Sequence, residues 1–188
     1  PEISDGAYKD SRAELRIADG VRFLAETTER FDVILVDSTD PVGPAAALIG
    51  DQFLQDAHRA LAPGGLMAMQ SGGPIAQPRE WLATVAAFKD AFSIVRPYMG
   101  WVPIYPGIVW TWVIGSDEVE PARIDDVTTN VRLDPMRSRL RLYNAAMHRA
   151  AFALPTFMQH LLQQTRRDWT PTEADLRAAG HPFPRIVA

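Results

Sequence analysis

Hydrophobic and polar residues along this 188-residue chain follow two spacings, one typical of strands and one typical of helices. A continuous aliphatic run at 33–36 predicts a strand buried on both faces, as parallel strands are. Further strands are predicted at 13–17, 66–70, 94–99 and 108–114. Helices are predicted from residue 21 onward and at 51–62, 80–92, 140–152 and 156–165. Strands that alternate with helices in this way favour an α/β fold.

The second half of the chain departs from that alternation. The strands predicted at 94–99 and 108–114 have no helix between them, so we expect an antiparallel pair at an edge of the sheet. Residues 116–135 are charged and irregular, and we expect a short edge strand as their regular element. Residues 164–188 contain several prolines and are predicted to form a surface tail behind a domain at 1–163.

Composition indicates a soluble globular domain, with 47% apolar and 22% charged residues. The net charge of −4 disfavours nucleic acid as the main partner, because phosphate binding needs a basic face. The chain contains no cysteine, which excludes disulfides and thiolate metal sites. Since this composition fits a reducing compartment, we expect a cytoplasmic protein.

One uncharged stretch, 99–115, resembles a membrane span at first sight. It is shorter than the ~20 residues that a spanning helix needs, and Pro103, Pro106 and Gly107 interrupt it. The first residues are polar and turn-like, without the features of a signal peptide. We therefore expect no membrane association.

Candidate chemistry is concentrated just after the central aliphatic run. Asp37 ends that run and Asp40 follows it, while Pro41, Gly43 and Pro44 keep the segment from forming a helix. Ligands of open α/β sheets bind beyond the carboxyl ends of the strands, so two carboxylates held there suit a cationic ligand. A lone Asp at such a position often only forms a turn or caps a helix, and it is the pair that indicates a function.

Three other polar positions are predicted at the same edge of the sheet. Asp19, followed by Gly20, ends the first predicted strand, and it is explained equally well as a ligand-binding residue or as the cap of the next helix. Gln70 ends its own strand and has an amide that could bond a ligand. Tyr105 lies between two prolines on a stiff loop, where an ordinary half-buried aromatic residue is the alternative interpretation.

Several common kinds of site have no support in the sequence. The glycine pair at 72–73 lacks the spacing of a dinucleotide-binding loop and is interpreted as a plain turn. The four histidines lack metal-binding spacing, and we expect His148 and His160 to be surface or structural residues. No Ser-His-Asp order or nucleophile elbow is present.

Five blocks of this sequence resemble the spermidine synthases, the polyamine aminopropyltransferase family. The most specific block is the loop at 37–45, with the sequence Asp-Ser-Thr-Asp-Pro-Val-Gly-Pro-Ala. The other blocks, in the order in which the family has them, are residues 3–8, 19–24, 102–107, and 142–144 running into 150–155. The resemblance covers nearly the whole chain to about residue 163.

The resemblance implies an α/β, Rossmann-like fold of the S-adenosylmethionine-dependent methyltransferase type, incomplete at its N-terminal side. The implied reaction transfers an aminopropyl group from decarboxylated S-adenosylmethionine to putrescine or a related polyamine. The products would be spermidine, or a related polyamine, and 5′-methylthioadenosine. The donor would be a co-substrate rather than a tightly bound cofactor, and no metal would be required.

The resemblance also implies a role for each matching residue. Asp37 matches the family's proton acceptor, and Ser38, Thr39 and Asp40 match its polyamine-binding segment. Tyr105 matches the tyrosine that helps to orient the amine. The residues that match the nucleoside-binding positions are Asp19, Gly20 and Pro44, and we add Gln70 to this group for its place at the end of a strand.

One large part of the family pattern has no counterpart in this sequence. It comprises a β-rich N-terminal domain and two core strands, one of which ends in a Gly-Gly-Gly-Asp-Gly loop. We therefore expect a fragment with a gap in its sheet, complemented by an N-terminal half or by a second copy in a homo-oligomer. Ile104 and Ile108, where many relatives carry Thr and Gly, suggest an altered pocket.

Two other functions stay open on the sequence alone. A methyltransferase of the same fold would not need the Asp37 and Asp40 pair. A truncated, non-catalytic fragment would bind a nucleoside or a polyamine without turning it over.

Overall fold

The computed structural model of the chain describes residues 6–37, 48–104, 109–165, 172–180 and 182. Within these residues, the strands are β1 (Phe31–Val36), β2 (Leu61–Gly72), β3 (Ile94–Gly100) and β4 (Trp110–Ser116). The α-helices are α1 (Gly20–Glu26), α2 (Asp51–Ala60), α3 (Pro78–Ala91), α4 (Asp126–Leu133), α5 (Ala145–Ala151), α6 (Thr156–Gln164) and α7 (Glu173–Ala178). Short 3₁₀ turns lie at Ala7–Lys9, Pro121–Arg123 and Asp134–Met136.

The four strands form one mixed sheet in the order β1-β2-β4-β3. β1 and β2 are parallel, and Val36 pairs with Met69 near their carboxyl ends. β4 runs antiparallel to both β2 and β3, so the antiparallel pair predicted at a sheet edge is confirmed. β2 begins earlier than predicted, at Leu61, with a register irregularity opposite the start of β1.

The core lies on one face of the sheet, beneath α2 and α3. The spacing of apolar residues in both helices places one stripe against the strands, and α3 packs against β2, β3 and β4. Gly115 of β4 lies where an added Cβ would come within 2.4 Å of Phe92, so the helix approaches the strand as closely as glycine allows. The largest fully buried side chains are Trp81, Phe88, Leu54, Met67, Leu82, Met158 and Leu161.

The other face of the sheet carries an aromatic cluster near β3. Tyr98 of β3 stacks on Trp112 of β4 and contacts Phe152 at the end of α5. Burial raises the pKa of Tyr98 to about 12, so its hydroxyl stays neutral. His148 of α5 has its Nε2 2.9 Å from the Pro121 carbonyl oxygen, which can only accept a hydrogen bond, so Nε2 donates. This buried contact indicates a structural role for His148.

A single arginine joins α1 to α2. Arg59 of α2 donates hydrogen bonds to the carbonyl oxygens of Leu24, Ala25 and Thr27, over distances of 2.7–3.1 Å. These carbonyls belong to the last turn and the end of α1, where a helix leaves acceptors unsatisfied. Asp56, one turn earlier in α2, accepts a further hydrogen bond from Arg59. Arg59 therefore holds a two-turn helix that is too short to be stable by itself.

Asp117, just after β4, joins three elements at the amino end of the parallel strands. One carboxylate oxygen accepts from the Ser93 backbone N–H at 2.9 Å, and the other lies 2.6 Å from His58 Nε2. The hydrogen bond from Ser93 and then that from His58 hold the pKa of Asp117 below its ordinary value. The resulting stabilisation is complete above the unfolded pKa of about 3.9 and is lost as the pH falls through the folded value.

We expect Asp117→Asn to lower the free energy of unfolding modestly at pH 7, since the carboxylate is about half exposed. The difference from the unchanged chain should shrink as the pH is lowered through 4 towards 3. Urea midpoints of both proteins at several pH values between 3 and 7 measure this. Asp32→Asn is the matched control, because the Asp32 side chain is exposed and has no hydrogen bond to the described residues. A stability difference that stays constant with pH would contradict the assignment.

Two predicted elements are wrong, each for a physical reason. Residues 13–17 form no strand: Leu15 and Ile17 are 67% and 95% exposed, and no described strand supplies the hydrogen bonds that a strand needs. In place of the short edge strand predicted within 116–135, the chain forms a 3₁₀ turn and α4, capped by the Asp125 side chain on the Thr128 N–H.

Of the segment predicted as a surface tail, α7 is helical and Ala179 is buried in the core.

Among the helices described, none is both long and apolar enough to span a bilayer. The residues of the loop at 105–108, including Ile108, lie outside the described part, whereas Ile104 is exposed.

Candidate functional site

The carboxyl ends of β1 and β2 lie side by side and place two of the predicted residues next to each other. Asp37 directly follows Val36, and Gln70 directly follows the Met69 with which Val36 pairs. Asp37 is exposed and forms no hydrogen bond or ion pair with the described residues. No described residue therefore occupies this carboxylate at the rim of the sheet.

An open groove runs along β1 and connects Asp37 with the start of α1. Its volume is about 470 Å³, and Gly20 and Asp37 both line it. The remaining wall is apolar, with Phe23 and Phe53 from the neighbouring helices. The structure thus brings Gly20 and Asp37 to one surface, although the strand that was predicted to carry Asp19 does not form.

Asp19 is the N-cap of α1. Its Oδ1 accepts from the backbone N–H groups of Val21 at 2.9 Å and Arg22 at 3.3 Å. The capping role that the sequence left open is therefore present. Both hydrogen bonds use Oδ1, so Oδ2 has no partner among the described residues and faces a mostly exposed surface.

Gln70 is buried, and its orientation follows from its two partners. Its Oε1 accepts from the indole Nε1–H of Trp110 at 3.0 Å and from the backbone N–H of Gly72 at 3.3 Å. Both partners can only donate, so the amide oxygen faces them and the assignment of oxygen and nitrogen is fixed by chemistry. The –NH₂ group of Gln70 can only donate, so any ligand group that contacts it must be an acceptor.

Trp110 was not predicted as a site residue. The signal that identifies it is the indole N–H, which needs an acceptor once the ring is partly buried. Finding that acceptor requires the register of β4 on β2, in which Trp112 and not Trp110 lies opposite Gln70. The sequence predicts the two strands but does not define this register.

A buried hydrogen-bond network supports the rim beneath Gln70. The Thr111 hydroxyl donates to the Gly72 carbonyl oxygen at 2.7 Å. Its single proton is then used, so the Ser71 hydroxyl donates to Thr111 Oγ1 at 2.9 Å. Gly72 adopts a φ of +79°, a region that favours glycine. These contacts fix the end of β2, from which Gln70 projects.

We expect Thr111→Val to destabilise the chain by about 1–3 kcal/mol, because it leaves the buried Gly72 carbonyl and the Ser71 hydroxyl without a partner. Urea denaturation followed by circular dichroism measures the free energy of unfolding. Thr111→Ser keeps the hydroxyl and should recover most of the loss. Equal stability of the valine variant and the unchanged chain would show that the network contributes nothing.

The remaining predicted site residues lie outside the described part of the chain. They are Ser38, Thr39, Asp40, Pro44 and Tyr105. Their roles stay predictions.

A second groove, of about 570 Å³, lies at the opposite end of the sheet and is lined by Arg30, His58 and Asp117 among others. It contains none of the predicted site residues. Across the described ranges, no group of three His, Asp or Glu residues is placed to hold a metal ion.

The sheet, the helices packed on it and the carboxylate at its rim define an α/β protein of the methyltransferase-like type. Residues 1–125 match the model of the spermine/spermidine synthase domain. The chain belongs to the spermine/spermidine synthase family.

Individual relatives agree with this assignment. The polyamine aminopropyltransferase of Caldicellulosiruptor saccharolyticus is 40% identical over 163 residues, which cover 87% of this chain and 56% of that protein. A crystal structure of spermidine synthase in complex with the transition-state analogue AdoDATO superposes with a TM-score of 0.77 at 29% identity, over 87% of this chain and 55% of that one. The spermidine synthase of Thermotoga maritima superposes with a TM-score of 0.75 at 29% identity, over 87% of this chain and 54% of its own. The chain thus spans about half the length of the relatives it matches.

Proposed function

We propose that this chain carries the proton acceptor and amine-binding loop of an aminopropyltransferase. The reaction would transfer an aminopropyl group from decarboxylated S-adenosylmethionine to putrescine or a related polyamine, in polyamine biosynthesis. The observation that carries the proposal is the exposed carboxylate of Asp37 at the carboxyl end of β1, which has no partner among the described residues and lies beside Gln70 near the end of β2. Relatives of this chain are named polyamine aminopropyltransferases, which supports the same reaction.

The chemistry needs a base at this position. An alkyl ammonium has a pKa of about 10.4, like that of lysine, and it is not a nucleophile until it loses a proton. Asp37 accepts that proton, and the free amine attacks the methylene carbon bound to the donor's sulfonium. The new C–N bond forms as the C–S bond breaks. The electron pair of the C–S bond goes to sulfur, which gives the neutral thioether 5′-methylthioadenosine. The sulfonium is already a good leaving group, so this route uses no metal.

The other predicted residues would hold the two substrates around Asp37. Asp40 and Tyr105, with Ser38 and Thr39, would hold the amine in line with the reacting carbon, which is worth several powers of ten in rate. For the nucleoside, Asp19 Oδ2 and the Gly20 backbone would hold the adenine, and Pro44 would line the pocket. Carboxylates near the aminopropyl end would repel a donor that still carried its own carboxylate, which favours the decarboxylated form.

Gln70 would act as a hydrogen-bond donor in this site. Its oxygen is occupied by Trp110 and Gly72, so its –NH₂ group suits an acceptor and not the ammonium group of the amine. An acceptor on the nucleoside fulfils this condition, which agrees with the expectation that Gln70 belongs to the nucleoside-binding group.

The test is a turnover assay with the purified chain, putrescine and decarboxylated S-adenosylmethionine, in which 5′-methylthioadenosine is quantified by chromatography. A parallel reaction contains intact S-adenosylmethionine. We expect 5′-methylthioadenosine and spermidine only in the reaction that contains the decarboxylated donor. Methyl transfer from the intact donor would contradict this proposal and would indicate a methyltransferase instead.

A second candidate function is binding without turnover. It is favoured by the sheet, in which β1 pairs with β2 alone among the described strands and has an exposed apolar face next to Asp37. Calorimetric titration with 5′-methylthioadenosine and with putrescine, performed beside the turnover assay, separates the two. Binding with no product, even after the rest of a family member is supplied as a separate polypeptide, would establish the non-catalytic function.

A further inference from the structure

The groove at the amino end of β1 and β2, called the amino-end groove below, is larger than the groove beside Asp37. Its volume is about 570 Å³, against about 470 Å³ for the other. Sites for small molecules have volumes of about 300–1,000 Å³. Arg30 precedes β1 and Asp37 follows it, so the six residues of the strand separate the two grooves by about 20 Å. A ligand in the amino-end groove would therefore not contact Asp37.

A bulge in β2 forms part of this groove. Between Phe31 and Val33 of β1, the register with β2 shifts from Leu61 to Leu66. Gly64, within the bulge, lines the groove and has a φ of +73°, a region that favours glycine. Bulges often lie beside functional sites, where they change the direction of side chains. At this point the wall of the groove is backbone, which a ligand can approach closely.

The ionisable residues that line the amino-end groove are Arg30, His58, Arg59, Asp117 and Glu118. Three of them have partners within the fold: Arg59 holds the end of α1, and His58 and Asp117 contact each other. Arg30 and Glu118 are exposed, and neither side chain has a hydrogen bond or ion pair with the described residues. The groove thus contains one guanidinium and one carboxylate that the described part of the fold does not use.

These two charged residues flank the same pair of glycines. Glu118 Oε2 lies 3.6 Å from the position that a Cβ on Gly64 would occupy. A Cβ on Gly65 would lie 3.0 Å from the carbonyl oxygen of Phe31, the residue that follows Arg30. Arg30 and Glu118 are therefore neighbours across the bulge, although they form no ion pair with each other. A small ligand between them can contact both.

The charges of the groove select the class of ligand. An anion would bind Arg30 but would face the carboxylates of Asp117 and Glu118, and a cation would bind Glu118 but would face Arg30 and Arg59. A zwitterion avoids both conflicts, because its carboxylate can contact the guanidinium while its ammonium group contacts the free carboxylate. Each of these contacts is a charge-assisted hydrogen bond, which is stronger than a neutral one.

The remaining wall of the groove is apolar and includes Leu61, Pro63 and Phe92. We propose that the amino-end groove binds a free amino acid with an apolar side chain, whose carboxylate contacts Arg30 and whose ammonium group contacts Glu118. The apolar side chain lies along the apolar wall. This site is separate from the rim of the sheet, so the proposal holds or fails independently of the reaction proposed above.

The experiment is a calorimetric titration of the purified chain with L-leucine, L-methionine and L-phenylalanine, while nitrogen-15 NMR follows the backbone amides of Gly64 and Gly65. The amino alcohol of each amino acid lacks the carboxylate, and the N-acetyl derivative lacks the ammonium group. We expect at least one amino acid to bind and to shift both glycine amides. Its two derivatives should bind at least about tenfold more weakly, because each loses one charge-assisted hydrogen bond.

Two neutral variants test the two contacts. Arg30→Gln and Glu118→Gln should each weaken binding of the amino acid at least about tenfold. Arg30→Gln should have little effect on the amino alcohol, which has no carboxylate, and Glu118→Gln should have little effect on the N-acetyl derivative. Arg123→Gln is the matched control, since Arg123 is exposed and lies outside the groove, and it should bind as the unchanged chain does. Circular dichroism checks that the variants keep their fold.

Four outcomes would overturn the proposal. The first is that none of the three amino acids binds. The second is that the amino acid and its two derivatives bind equally well, and the third is that Arg30→Gln and Glu118→Gln bind as tightly as Arg123→Gln. The fourth is binding that shifts the amides of Gly20 and Asp37 and leaves those of Gly64 and Gly65 unchanged, which would place the amino acid in the other groove.

Discussion

Replacing Asp37 by Asn should lower the rate of aminopropyl transfer by about 10²–10⁴-fold, the usual contribution of a positioned general base. The amide has nearly the same shape as the carboxylate but cannot accept the proton that the ammonium must lose. Asp37 is exposed and makes no contact with the described residues that the change would break, so stability should be unchanged. The turnover assay described above measures the rate, with the complementing polypeptide present if the chain alone is silent.

The control for this prediction comes from the same strand. Asp32 is an exposed aspartate near the amino end of β1, away from the rim, and Asp32→Asn should leave turnover unchanged. Calorimetry with 5′-methylthioadenosine should give the same affinity for both variants, because binding of the nucleoside does not require the carboxylate that accepts the proton. Full turnover by Asp37→Asn would remove Asp37 from the role of proton acceptor.

Replacing Phe88 by Ala should lower the free energy of unfolding by about 3–5 kcal/mol, the cost of deleting a large ring from a packed core. Phe88 has no exposed surface and lies on α3 against Phe92, with ring centroids 5.5 Å apart. Its ring also lies over Gly115, where an added Cβ would come within 2.9 Å of it. The gap left by alanine cannot be filled from β4, since glycine has no side chain to contribute.

Urea denaturation at pH 7 measures this loss, and a valine on the exposed side of α4 provides the comparison. Val127 is 74% exposed, so Val127→Ala should change the free energy of unfolding by less than about 0.5 kcal/mol. A Phe88→Ala chain as stable as the Val127→Ala chain would show that the packing of α3 on β4 has been misassigned.

The parts of the fold that the sequence predicts are those encoded by local pattern. The aliphatic run of β1, the amphipathic helices α2 and α3, and the antiparallel pair β3 and β4 each follow from the spacing of apolar residues within one segment. The acid at the end of β1 follows from the same pattern, because the strand must end where the apolar run ends. Asp37 was predicted at the rim and lies there.

The parts that the sequence does not predict depend on partners far away along the chain. Residues 13–17 have the pattern of a strand, but a strand forms only when a neighbouring strand supplies its hydrogen bonds. The orientation of Gln70 depends on Trp110, forty residues later, and on the register between two strands. The helix α4 forms in a charged segment where its own capping residue, Asp125, outweighs a weak apolar pattern.

The contact of Arg59 with α1 is made entirely to main-chain oxygens. Every residue type has the same backbone carbonyl group, so these three hydrogen bonds do not depend on which side chains occupy positions 24, 25 and 27. The attachment by Arg59 therefore tolerates side-chain changes at positions 25 and 27, whereas Leu24 is also constrained by its place in the core. Loss of the one guanidinium, by contrast, releases all three attachments together.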